Sequence, residues 1–167
     1  MNLPRPVLSR HKILPLTALV RAVRRAQRRG KRVVFTNGCF DLLHAGHVKI
    51  LERARACGDL LIVAVNSDRS VRQIKGPGRP IVHERDRTLL LAALACVDFV
   101  TLFKEPTPQQ VIEKIRPDVL IKGSDWKAGQ IVGADVVRAH GGRVVRIPLL
   151  RGYSTTNLIE RIRACAR

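Results

Sequence analysis

The chain has 167 residues, 46% hydrophobic and 26% charged, enough for one domain with a sizeable core. It shows no repeat, no low-complexity tract and no apolar run of the roughly 18 residues that a membrane span requires. Its formal charge of +18 comes mostly from residues 1–32, which hold ten Lys/Arg and no Asp or Glu. Such a segment could meet nucleic acid. One Trp, one Tyr and four Phe are too few to stack single strands, which weighs against that partner. A solvated basic face, or a positive field for anionic small substrates, is the reading kept.

The opening MNLPRPVLSRHK has neither an apolar core nor a small-residue cleavage site, so a signal peptide is not expected and the cytoplasm is. Cys39, Cys57, Cys96 and Cys165 form no CxxC pair and read as reduced structural thiols.

Residues 1–12 read as an irregular arm. From Pro15 to Arg29, Leu16, Leu19, Val20, Val23 and Ala26 recur at helical spacing, and Gly30 is a natural stop. The opposite face is nearly all arginine, so this helix is expected on the outside. We divide the chain into a basic N-terminal arm and helix, 1–30, and a main domain, 31–167.

Strands and helices then alternate. RVVFT (32–36) reads as a buried strand and HVKILERARA (47–56) as a helix that begins near Ala45. LLIVAV (60–65) is a second strand, followed by an NSD turn and the loop KGPGRP (75–80). A helix (83–95), a strand (97–103), a short helix (108–115) and a strand (118–123) follow. A helix (130–140), a strand (143–148) and a closing helix (155–164) end the chain. Short apolar strands alternating with helices predict an α/β fold: a doubly wound, Rossmann-like five-stranded parallel sheet with helices on both faces. Ligands on such sheets bind beyond the carboxyl ends of the strands, where the strand order reverses. The segments there are GCFDLLHAGH, NSDRSVRQIKGPGRP, KGSDW and RGYSTT, all polar or glycine-rich.

In GCFDLLHAGH, Gly38 and Gly46 let a backbone approach a ligand, and a helix opening near Ala45 offers free N–H groups. His44 and His47, three positions apart, point to one side of its first turn. Together they describe a cradle for phosphate oxygens. A zinc site lacks a third ligand at a convincing offset, and neither a P-loop nor GxGxxG occurs.

GCFDLLHAGH resembles the HxGH signature of the cytidylyltransferase-like nucleotidyltransferases, and RGYSTT (151–156) is similar to their second signature. Within that superfamily, FTNGCFDLLHAGHVKIL, LIVAVNSDRSVRQIKGPGRP, PDVLIKGSDW and YSTTNLIERI resemble the heptose 1-phosphate adenylyltransferases of lipopolysaccharide synthesis. That group is often fused behind a sugar kinase, so a stand-alone form with a separate heptose kinase upstream is expected here.

The resemblance implies nucleotidyl transfer from ATP to a sugar 1-phosphate. It implies His44, His47 and Lys75 as catalytic residues. It implies Thr36, Asn37, Gly38, Phe40, Gly46, Arg87, Lys122, Gly123, Ser154, Thr155 and Thr156 around the nucleotide. Asp41, Asp125, Trp126 and Arg151 are the substrate-binding candidates; for Asp41 the alternative is a cap on the turn before the helix, and Trp126 could instead anchor its loop. Mg²⁺ is expected on the nucleotide phosphates rather than in a protein cage, and a homodimer is possible. A cytidylyltransferase for glycerol 3-phosphate is the alternative within the class. A basic nucleic-acid-binding module is the alternative outside it.

Overall fold

The computed structural model describes residues 8–126, 128–150 and 152–166. Strand β1 (Val33–Gly38) lies in the middle of a five-stranded sheet ordered β3-β2-β1-β4-β5. The flanking strands are β2 (Leu60–Asn66), β3 (Phe99–Phe103), β4 (Val119–Gly123) and β5 (Arg143–Ile147). Each neighbouring pair is parallel. The chain builds outward from β1 to β3, then returns to add β4 and β5 on the other side. The order therefore reverses between β1 and β4, and the expected doubly wound sheet is present.

Strand residues alternate between two cores, as the period of two requires. Val33, Phe35, Ile62, Ala64 and Leu120 face one side, against α2 (Leu16–Arg28), α6 (Gln109–Ile115) and α7 (Ala134–Ala139). Val34, Leu61, Val63, Val65, Val119 and Ile121 face the other, against α3 (Ala45–Arg55) and α5 (Glu84–Ala93). Leu19 and Val23 of α2 are buried in the first core, while its arginine face stays outside.

Three elements differ from the sequence expectation. Within the arm, Ser9–Lys12 forms one helical turn, α1, and Lys12 Nζ donates to the carbonyls of Leu94 and Val97. Residues 68–75, which follow the NSD turn, are helix α4 (Asp68–Lys75), capped by the Ser67 hydroxyl accepting from the Ser70 amide and ended at Gly76. Its sequence, DRSVRQIK, carries too few apolar residues to show a period, and Lys75 is its last residue rather than a loop residue. The helix read over 130–140 begins only at Ala134, because Gly133 sits in the left-handed region at φ 81° and separates it from a 3-10 turn at Ala128–Gln130. The last helix, α8, spans Thr155–Cys165 and has no fully buried residue.

Candidate active site

A cleft of about 560 Å³ opens beyond the carboxyl ends of β1, β2 and β4, over the point where the strand order reverses. β1 leaves the sheet at Gly38, and Phe40 takes a left-handed turn at φ 48°. The chain then enters α3 with His44 as its N-cap. His44 Nδ1 accepts from the His47 amide at 3.3 Å. A neutral imidazole that accepts at Nδ1 carries its proton on Nε2, so His44 is a donor on the side away from the helix.

The His44 and His47 rings stack with centroids 3.8 Å apart and planes 19° apart. Phe40 lies against His47 and Tyr153 against His44, with centroids at 5.2 and 6.2 Å. His47 Nδ1 is buried without a hydrogen-bond partner among the described residues. Burial pushes the His47 imidazole down to about 4, and the neighbouring His44 adds to this. His44 is also lowered by burial, against a backbone hydrogen bond that favours its charge. Both rings therefore meet a ligand as neutral hydrogen-bond donors. Gly46 is required between them: a Cβ there would lie 2.9 Å from Tyr153 Cβ and 3.0 Å from the His44 ring.

Across the strand reversal, Lys122 of β4 donates to Asn37 Oδ1 of β1 at 2.5 Å and lies 5.5 Å from the Trp126 ring. Burial pushes its ammonium down to about 8, opposed by the Asp125 carboxylate. A third wall comes from the start of α8. The Ser154 hydroxyl accepts from the Asn157 amide at 3.0 Å, and Ser154, Thr155 and Thr156 face the cleft. The starts of α3 and α8 thus present two sets of free N–H groups to one cavity, a strong arrangement for a polyphosphate.

The cleft brings together His44, His47, Lys75, Thr36, Asn37, Gly38, Phe40, Gly46, Lys122, Gly123, Ser154, Thr155, Thr156, Asp41, Asp125 and Trp126. Thr36 also donates to the Ile121 carbonyl, joining β1 to β4. Arg151 lies outside the described residues.

Two assignments change. Arg87 does not reach the cleft. It is 1% exposed and spends its guanidinium on the carbonyls of Val82, Cys39 and Asn66 and on Asp68. In this structure it is a strut under the site, rather than part of the cleft wall. Burial alone would raise the Asp68 carboxyl, but hydrogen bonds from Arg87 and His83 outweigh it and hold the group low. Asp41 lines the cleft, yet its oxygens are taken by Arg79 Nε and by the Ile81 and Val82 amides. These bonds tie Asp41 to the loop at residues 79–82, rather than making it the cap on the turn before α3, while the residue keeps its place in the cleft wall. The sequence reading had missed Arg79 and Tyr153, both in the cleft wall.

This fold and this site define a nucleotide-binding α/β enzyme of the nucleotidyltransferase class. The sequence matches the family model described as Cytidylyltransferase-like over residues 35–161. It is 57% identical over 136 residues to the bifunctional protein HldE of Syntrophotalea carbinolica, covering 81% of this chain and 28% of that relative. It is 55% identical over 151 residues to the HldE of Azotobacter vinelandii, covering 90% of this chain and 32% of the relative. The chain thus spans about a third of the length of these curated relatives.

Among solved structures, the lipopolysaccharide core biosynthesis protein from Thermoplasma volcanium aligns with a TM-score of 0.61 at 28% identity, over 75% of this chain and 100% of that one. The pantoate-beta-alanine ligase of Francisella tularensis shares the fold with a TM-score of 0.61 at 14% identity, over 83% of this chain and 67% of that one. The chain belongs to the cytidylyltransferase-like family.

Proposed function

We propose that this domain transfers AMP from ATP to D-glycero-β-D-manno-heptose 1-phosphate, giving ADP-heptose and pyrophosphate for the lipopolysaccharide inner core. A sugar-phosphate oxygen attacks the α-phosphorus, the bond to the β-phosphate oxygen breaks, and pyrophosphate leaves. The attacking oxygen is already ionised, so no general base is required. The work is positioning two anions and stabilising the charge that develops between them.

The observation that carries the reading is the joining of two phosphate-cradling helix starts. His44 and His47 on α3 share a cavity with Ser154, Thr155 and Thr156 on α8, and Tyr153 packs between them. In this reading His44 and His47 donate to the α-phosphate as its charge grows. Lys75 and Lys122 offset the negative charge of the phosphates, and Asn37, Gly38 and Phe40 wall the nucleotide. Further support comes from the resemblance to heptose 1-phosphate adenylyltransferases and from the Thermoplasma volcanium neighbour.

Mg²⁺ is the metal the family implies. Of the two carboxylates lining the cleft, Asp41 is consumed by its own loop, and Asp125 has no partner among the described residues. That donor set fits an ion held chiefly by phosphate oxygens and water, with Asp125 as the one side chain able to hold it or its water. When bound, Mg²⁺ would neutralise charge on the β- and γ-phosphates. A sugar kinase would supply the 1-phosphate. We take residues 31–167, with α2 packed into their first core, as the catalytic unit, acting in the cytoplasm.

The test is pyrophosphate release with Mg²⁺ and ATP, CTP, GTP or UTP, each paired with the heptose 1-phosphate or with glycerol 3-phosphate. Turnover confined to ATP and the heptose phosphate supports the reading. Turnover with CTP and glycerol 3-phosphate keeps the chemistry and overturns the substrate.

A further inference from the structure

We propose that Arg79, held by Asp41, is the receptor for the phosphate of the acceptor substrate. The inference rests on the nucleotidyl-transfer reading and assigns an acceptor subsite within it. Beside Lys122, whose ammonium is hydrogen-bonded to Asn37 Oδ1, three features of the cleft can meet an anion. The start of α3 carries His44 and His47, and the start of α8 carries Ser154 to Thr156. Those two lie together, because Tyr153 leads into α8 and packs on His44. They suit one extended polyphosphate. The third feature is the basic wall of Lys75 and Arg79, on the segment between β2 and α5. A second anion has to be held apart from the first until the two react, and this wall is the place left for it.

The geometry of Arg79 favours that role over a solvated loop residue. Its side chain is 19% exposed and its Nε donates to Asp41, whose side chain is 1% exposed. Its terminal nitrogens make no hydrogen bond among the described residues, although the residue lines the cleft. A guanidinium fixed through Nε keeps its terminal pair for another anion, and that pair matches two phosphate oxygens. The support behind it is stiff. Asp41 also accepts from the amides of Ile81 and Val82, and the buried Arg87 takes the Val82 carbonyl. Arg87 bonds the Cys39 carbonyl as well, so the turn that carries Asp41 into the His44 cap also fixes the Arg79 loop. In this arrangement Asp41 is a positioning residue. It sets the acceptor phosphate relative to the two histidines.

The test is steady-state kinetics of Arg79→Gln, Arg79→Lys and Asp41→Asn with each substrate varied separately, beside thermal melts. The pair used is whichever nucleotide and acceptor turn over in the unaltered protein. Loss of a charge-assisted pair predicts a KM for the sugar phosphate raised about 10- to 100-fold in Arg79→Gln. The KM for the nucleotide should stay within about twofold. Arg79→Lys should recover part of the loss, and Asp41→Asn should reproduce it with a smaller change in kcat. If both KM values rise together with a fall in melting temperature, or if neither moves, Arg79 is only a loop staple and the proposal is wrong. Calorimetry with glucose 1-phosphate and heptose 1-phosphate separates this from failure of the reaction itself. Absence of turnover in every pair overturns the functional reading. Sugar-phosphate binding equal in the unaltered protein and Arg79→Gln overturns the subsite.

Discussion

His44 and His47 stack ring on ring at 3.8 Å at the start of α3, with His44 Nδ1 bonded to the helix and His47 Nδ1 buried without a partner among the described residues. Stacking puts two imidazoles where a charge on one opposes a charge on the other. An unfolded imidazole titrates near 6.5. His47 is held to about 4 in the fold, so the unfolded chain takes up its proton first as pH falls. The contribution of this group to stability is complete above about pH 7 and is lost as pH falls from about 6.5 towards 4. Urea melts across that range should show the loss, and His47→Gln should remove that component. NMR titration of the ring protons should give a His47 midpoint near 4, rising when nucleotide binds.

His44 does two jobs that substitution can separate. It caps α3, and it offers Nε2–H to the cleft. His44→Ala should lose about 100- to 1,000-fold in kcat, as loss of one transition-state donor does, and about 1 kcal/mol of stability with the cap. His44→Asn restores a good cap without the imidazole. Its melting temperature should return towards that of the unaltered protein while turnover stays low.

Gly46→Ala tests the packing between the two signatures. The new methyl would meet Tyr153 Cβ at 2.9 Å and the His44 ring at 3.0 Å. Overpacking of this kind costs about 1–3 kcal/mol. Because Tyr153 leads into α8, the KM for ATP should rise as well, measured against a melt of the same variant.

Arg87→Ala should act through stability. Removing one member of a buried ion pair costs about 3–5 kcal/mol because the partner charge is left behind. Asp68 and the carbonyls of Val82, Cys39 and Asn66 would all lose their donor. Arg87→Lys cannot span the same set and should recover little. Denaturant melts of the ligand-free protein report this directly.

Lys122 sets an upper pH limit. Burial brings its ammonium to about 8, so the free protein loses this charge as pH rises through that value. Nucleotide affinity should weaken above about pH 8, approaching tenfold per unit if the bound form keeps the proton. In Lys122→Met binding should be weaker and flat over the same range. Calorimetry at about pH 7, 8 and 9 distinguishes the two.

Much of this was legible in the chain. The strands are short, mostly apolar runs, and their alternation with helices gave the layer order that puts the cleft beyond β1 and β4. The paired histidines and the Ser-Thr-Thr segment marked the two helix starts that line it. Other parts depend on contacts far apart in sequence. Asp41 and Arg79 are 38 residues apart, and GPGRP alone reads as solvated loop. Arg87 was taken for a ligand because the family resemblance implies a phosphate-binding position early in that helix. Its spacing carried the opposite signal, since Leu91, four positions on, shares its buried face. Tyr153 is visible only once α8 is seen to start beside His44. Helix α4 escaped notice because its first turns are polar and its stability comes from the Ser67 cap and from packing on β2.

The most direct measurement follows the phosphorus. ATP labelled at the α-phosphate is incubated with heptose 1-phosphate, Mg²⁺ and the protein, and the products are separated. The account requires the label in a nucleotide-sugar, with unlabelled pyrophosphate released and both products lost in His47→Ala. Label that stays in ADP, with the γ-phosphate on the sugar, would contradict attack at the α-phosphorus and the role given to the two histidines.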